Sequence, residues 1–322
     1  GVDLRRMVLV TDSVSPEFLI KKGTLEHVVQ KAINLGFNPV DAIRMVTLNV
    51  AEHFGIDHMI GGIAPGRFAD LCIIPDIQTI RPAWVISNGK LIARDGKCII
   101  SPRNHEYSKK SLNSINLKKI FKKDDFKISA PPGTKKIDVR VIEKISMLVT
   151  KEKIIAMQVD DGQIMGDVEK DIIKIAAVDR VNDSNKCFTG LVSGFGMKQG
   201  AIATSTSWDT GDITVMGVME TDMALAVNRI KDIKGGVVVC SEGKVIAEFP
   251  MPILGILSDL PMEEIAEKTY EVNQAANGLG IIFNDPILSL ATMTSAAIPF
   301  LKMCEEGLFN LKDGKTLGLF IT

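Results

Sequence analysis

At 322 residues the chain is long enough for two or three domains and a sizeable core, since a soluble protein of this size buries roughly 75% of its unfolded surface. Hydrophobic residues make up 46% and charged ones 24%, and 38 basic side chains stand against 39 acidic ones, a balance that argues against nucleic acid as the main partner. No apolar run reaches the roughly 18 residues needed to span a bilayer and no charged-then-apolar signal segment opens the chain, so a cytoplasmic protein without a membrane partner is expected.

The first element, VLVTDSVSP from residue 8, reads as a buried strand that stops on Asp12 among small polar residues. An aspartate there is a turn former or helix cap on one reading. On the other it is a carboxylate at the C-terminal mouth of a parallel barrel strand, where (β/α)8 enzymes keep their catalytic groups. The run begins almost at once after Gly1, which is not an initiator methionine, so a fragment of a longer chain is expected. TLEHVVQKAINLG follows, with Leu25, Val28, Val29, Ala32 and Ile33 on one helical face between Thr24 and Gly36. In NPVDAIRMV, Asn38 is placed as N-cap, Pro39 at the first helical position and Asp41 in the first turn. TLNVAEHFG adds a short helix, with Asn49 and Glu52 spaced as a capping box and Gly55 as terminator.

From Gly61 the period changes. A Pro65-Gly66 turn feeds a strand in DLCII, and Asn88-Gly89 and Asp95-Gly96 sit at hairpin positions between apolar runs, predicting a small antiparallel β segment, a β-sandwich piece over 61–102. Residues 103–136 carry nine lysines from Lys109 onward and Pro131-Pro132-Gly133, the composition of a solvated linker. A phosphate-binding patch is the alternative, but aromatic interleaving is thin and Asp124-Asp125 interrupts it. From 137 to 322, β runs such as DVRVIEKI, IIKIAAV and GGVVVCSEGKVIAEF alternate with helices in TDMALAVNRIKDI and in the segment from Pro261, the pattern of an α/β or α+β domain.

The chemistry-bearing residues are sparse. His27, His53, His58 and His105 form no HxH or HExxH pair and read as structural histidines. The H-x-E and P-C-x-x-C pair of cytidine-type zinc deaminases, the P-loop and the GxSxG elbow are all absent. SGFGMKQG reads as a tight turn. Cys72, Cys98, Cys187, Cys240 and Cys304 are far apart and odd in number, which indicates small core residues rather than a disulfide framework or a thiolate zinc site.

Taken together, VLVTDSVSP, GTLEHVVQKAINLGFNPVDAIRMVTLNVAEHFG and GGIAPGRFADLCII resemble the carboxy-terminal part of an amidohydrolase-superfamily barrel running into a small composite β domain. GLVSGFGMKQGAIATSTSWD, METDMALAVNRIKDIKGGVVV, GKVIAEFPMPILGILSD and DPILSLATMTSAAIPFLKMCEEGLFNL resemble the carboxy-terminal domain of adenine deaminases. The resemblance implies an α/β architecture: the end of a (β/α)8 barrel over 1–60, the β segment, the lysine-rich linker, and an adenine deaminase-type domain from 137 onward. It also implies hydrolysis of adenine to hypoxanthine and ammonia with a pair of divalent metals, manganese or iron, and a homo-oligomer. Asp12 matches the metal-ligating aspartate that takes the proton of the attacking water.

Two departures bear on this. Asp12 is followed by Ser13 where the family carries a second aspartate, with no histidine before His27. Trp208-Asp209-Thr210-Gly211-Asp212 stands where the family has His-Asp-Ser-His-Asn, so Asp209 is either a surviving substrate contact or a surface turn residue. A divergent substrate or weakened activity follows from both. The remaining metal ligands of such a barrel would precede Gly1, so this chain alone is expected neither to bind two metals tightly nor to deaminate adenine. A noncatalytic purine-binding or subunit-assembly module and an amidohydrolase acting on a cyclic amide are the alternatives.

Overall fold

The computed structural model describes residues 2–182 and 184–321, and the chain divides into two units, Gly1–Glu106 and Tyr107–Thr322. Four helices open the first unit: α1 (Pro16–Lys22), α2 (Leu25–Asn34), α3 (Pro39–Arg44) and α4 (Leu48–His53). The Ser15 hydroxyl accepts the Phe18 amide at 3.2 Å and Asn38 Oδ1 accepts the Val40 amide at 2.9 Å, so both proline-started helices have one of their orphan donors satisfied. Val29 and Ala32 of α2 meet Ala42 of α3 and Met45 in a small core, the face that helical spacing picks out. Four antiparallel strands follow in sequential order: β1 (Leu71–Ile73), β2 (Trp84–Ser87), β3 (Lys90–Arg94) and β4 (Lys97–Cys98). Asn88 and Gly89 both take positive φ, 47° and 73°, as a two-residue hairpin turn with right-handed twist requires. The β-sandwich piece is thus a single sheet.

Two expectations for this unit are corrected. Residues 8–12 form no strand; Val8 and Val10 are 43% and 68% exposed, and the Leu9 amide donates to the Met45 carbonyl at 3.0 Å. A strand exists only as one rail of a ladder, and no described segment lies alongside to supply the other. Asn49 is no cap either. It is buried inside α4, and its amide nitrogen donates to the carbonyls of Leu4 and Met7, both at 2.8 Å.

An eight-stranded sheet organises the second unit. Its strands are β6 (Lys136–Lys144), β7 (Thr150–Gln158), β9 (Ile172–Val178), β10 (Cys187–Ser193), β11 (Ala201–Thr204), β12 (Ile213–Gly217), β13 (Gly236–Ser241) and β14 (Lys244–Pro250), in the order β14-β13-β11-β12-β9-β10-β6-β7. Only the β10–β6 pair is parallel. A short pair, β5 (Ile128–Ser129) with β8 (Gln163–Ile164), lies outside it, as does the meander β15 (Leu301–Cys304), β16 (Gly307–Asn310), β17 (Lys315–Leu317).

Every residue of β9 is buried, because the sheet is covered on both faces. Ala176 and Val178 pack with Met223, Val227 and Ile230 of α5 (Glu220–Asp232). Ile173, Ile175 and Ala177 point the other way, to a larger core shared with Val272 and Ala276 of α6 (Met262–Gly278), Leu290 of α7 (Pro286–Ala291), and Leu301, Met303 and Leu308 of the meander. The chain end returns to the sheet: the Arg140 amide donates to the Leu319 carbonyl at 2.8 Å and the Ile321 amide to that of Asp138 at 3.1 Å. At the two rims, β14 is bulged opposite Val239 and Cys240, and β7 presents Lys151 and Lys153. Among the described residues no helix is long and apolar enough to cross a membrane.

The linker expected over 103–136 is also corrected. From Tyr107 the segment belongs to the second unit, where Leu117, Phe121 and Phe126 are buried in the α5-side core and Asn228 of α5 exchanges two 2.9 Å bonds with the backbone of Phe121. Its lysines mask a few large apolar anchors that composition alone averages away. Phe121→Ala is therefore expected to cost about 3–5 kcal/mol of second-unit stability in urea unfolding, the range for truncating a buried phenylalanine, whereas a solvated linker would lose nothing measurable.

Candidate functional site

Asp12 belongs to the first unit and Asp209 to the second. Asp12 is exposed, at φ 55°, three residues ahead of the Ser15 cap of α1. Among the described residues no three histidine, cysteine, aspartate or glutamate side chains are gathered as a metal site. His27 packs edge-on against Phe18 with centroids 5.3 Å apart, and the ring of His53 lies edge-on to that of its neighbour Phe54 at 4.9 Å. The ligand set of a two-metal centre is therefore not assembled by these residues, and Asp12 offers at most one ligand. An apolar cavity of about 520 Å³ does lie in this unit, walled by Leu25, Val29, Ile43, Phe68 and Cys72, but neither Asp12 nor a histidine lines it.

Asp209 sits at φ 66° on the loop joining β11 to β12. Its Oδ2 accepts the Ser295 hydroxyl at 3.0 Å and the Ala296 amide at 2.7 Å. Beside it the Trp208 amide donates to the Ala291 carbonyl at 3.2 Å, and the Thr294 hydroxyl donates to the Trp208 carbonyl at 2.7 Å. These bonds fasten the loop to the segment that follows α7. Asp209 is thus more than a turn residue, since its carboxylate ties two distant stretches together; Trp208 remains partly exposed at their junction.

Behind this junction lies a buried polar layer that the motifs did not single out. Lys144, at the end of β6, donates to the Ser289 carbonyl at 2.8 Å and the Thr292 hydroxyl at 3.0 Å. Lys302 donates to the carbonyls of Leu148 and Thr292, both at 3.0 Å. Both amino groups thus meet carbonyls at the C-terminal end of α7, where the helix dipole favours whatever positive charge they carry. Burial, with the Lys302 charge nearby, brings Lys144 down to about 6, and burial brings Lys302 down to about 8. Asp212 and Arg180 are also buried, and Asp212 Oδ2 and Arg180 Nε have no hydrogen-bond partner among the described residues. One signal was available for Lys144: it keeps the parity of buried Ile142 along an alternating strand. For Asp212, Arg180 and Lys302 the partners are too distant in sequence to read.

The comparisons with known proteins follow the same division. Residues 3–92, within the first unit, match the amidohydrolase family. Residues 147–315, just over half the chain, match the adenine deaminase C-terminal domain, and the chain belongs to that family. Among similar proteins, an adenine deaminase of Clostridium botulinum strain Langeland is 36% identical over 321 residues, covering 99% of this chain and 53% of that protein. One of Moorella thermoacetica is 36% identical over 319 residues, covering 99% and 54%, and one of Mesorhizobium japonicum 35% identical over 323 residues, covering 100% and 53%. The chain thus spans about half the length of the curated relatives it matches.

The lysine layer makes stability depend on pH in a definite direction. A lysine whose folded value falls to about 6 loses its proton on folding wherever the unfolded chain, near 10.5, keeps it. Stability from this group is therefore lowest below about pH 6 and rises with pH towards the unfolded value. Urea midpoints of the second unit should climb across that window, and Lys144→Met should flatten the climb, leaving the smaller rise above about pH 8 that Lys302 supplies.

Proposed function

We propose that the chain is the carboxy-terminal portion of a hydrolase that removes the amino group of adenine, yielding hypoxanthine and ammonia. Agreement in order carries this reading: an amidohydrolase match over the first unit is followed by an adenine deaminase domain match over the second, and relatives so named align along nearly the whole chain. On this reading residues 1–60 are the end of a (β/α)8 barrel and 61–102 a small composite β segment, and the deaminase domain takes in the former linker from Tyr107 onward.

Asp12 is the carboxylate we assign to a divalent metal, manganese or iron, and to proton transfer. It accepts a proton from the attacking water and returns one to the departing nitrogen, which leaves as ammonia. The rest of the metal's ligand set is not among the described residues, so this chain alone is read as inactive. Asp209 is assigned to the substrate side, holding the loop of Trp208 through its bonds to Ser295 and Ala296. A cytoplasmic homo-oligomer acting on a small purine belongs to the same reading, and the balanced charge argues against a nucleic-acid partner.

A second reading, a noncatalytic purine-binding or subunit-assembly module, is favoured by the lack of a gathered ligand set and by Ser13, Trp208 and Gly211 at the departures from the family pattern. Ammonia release from adenine with added manganese decides between them. At the relatives' full length the protein should release ammonia, and Asp12→Asn should slow it by roughly 10²–10⁴-fold, the usual worth of a positioned acid–base group. The 322-residue chain alone should release none. Equal rates for the wild type and Asp12→Asn would remove Asp12 from the mechanism, and full-length protein that binds adenine without releasing ammonia would favour the second reading.

A further inference from the structure

Asp212 closes the loop that begins at Thr206, and its surroundings differ from those of an ordinary turn aspartate. The residue is 2% exposed. Its backbone carbonyl accepts the Ser207 hydroxyl, which also lies 3.0 Å from the Thr214 hydroxyl, and its amide donates to Thr210 Oγ1 at 3.3 Å. The carboxyl itself has Oδ2 unpartnered. Arg180 feels the charge of Asp212, yet its bonds run elsewhere, to the carbonyls of Ser114 at 3.4 Å, Leu254 at 3.3 Å and Ser205 at 3.3 Å.

Other titratable groups share its field: Asp179 at the end of β9, Cys187 of β10, and Cys304 and Glu305 at the β15–β16 turn. Two of these are carboxylates. A buried carboxyl with one oxygen unpartnered and two other carboxylates acting on it is favoured as the neutral acid, because ionising it adds both a desolvation cost and like-charge repulsion.

We propose that Asp212 is a proton-operated latch on the 206–212 loop: as the neutral acid it stays buried beneath the β15–β16 turn, and as the carboxylate it frees the loop that carries Trp208 and Asp209. Burial first, then the charges of Glu305 and Asp179, raise this carboxyl to about 7, against the opposing Thr210 hydroxyl and Glu305 amide. With the closed-loop value above that of the open, solvated loop, closure is strongest below the open-loop value, weakens as pH rises between the two, and levels off above about 7. The latch stands on the second unit alone. Its consequence for substrate, control of the segment that presents Asp209, rests on the deaminase reading above.

Hydrogen–deuterium exchange of the unsubstituted chain tests it without reference to activity. After correction for intrinsic rates, amides of 206–212 should exchange at least about tenfold faster at pH 7 than at pH 5, since one unit of mismatch in proton affinity is a factor of ten in the opening equilibrium. Peptides of β9 and β12 should not follow. Asp212→Asn should abolish the pH dependence, and Glu305→Gln, which removes one of the repelling charges, should bring the plateau at a lower pH. Circular dichroism confirms that each variant is folded; if Asp212→Asn is not, the Glu305→Gln displacement decides. The latch is overturned by pH-independent exchange in the wild type, by a pH dependence that survives Asp212→Asn, by a Glu305→Gln plateau that does not move, or by one shared with β9 and β12. These outcomes leave the deaminase reading standing, just as failure to release ammonia leaves the latch standing.

Discussion

The second unit depends on a sheet that is apolar on both sides. With β9 buried along its whole length, neither face can be left to water, and the chain must supply two covering layers. One is α5 with the segment around Phe121; the other is α6, α7 and the β15–β17 meander. The functional candidates of this unit arise from that need. The 206–212 loop and the stretch after α7 meet because β11, β12 and α7 must pack together, and Asp209 is the bond that fixes their meeting.

Covering both faces also explains the polar residues inside. Strands that enter the interior carry whatever occupies alternate positions, so Lys144 and Lys302 are drawn in with their apolar neighbours. Each donates to carbonyls or a hydroxyl, which lowers the cost of burying its polar head. Asp212 and Arg180 lack that full satisfaction. The interior is thus settled at the lysines and unsettled at the carboxyl, and the unsettled part lies on the loop of the exposed Trp208.

How much of this could be read from the residues divides by distance along the chain. The helix starts at Asn38 and Pro261, the hairpins at Asn88-Gly89 and Asp95-Gly96, and the apolar face of α5 were all legible, because their signals lie within a few residues of the structure they specify. VLVTD was not, since strand character needs a neighbour that local sequence cannot name. The stretch of lysines misled because Leu117, Phe121 and Phe126 follow no simple period. At the candidate site, Asp12 and Asp209 were found by type and position, whereas the Lys144–Thr292 bond joins residues 148 apart and had no local trace.

The rims of the large sheet have a consequence for behaviour in concentrated solution. One edge strand is bulged between Val245 and Ala247, and the other carries ammonium groups on either side of Glu152. Both devices spoil the template that a foreign strand needs for annealing. Copies that meet in solution are thereby hindered from extending one another's sheet by edge-to-edge pairing.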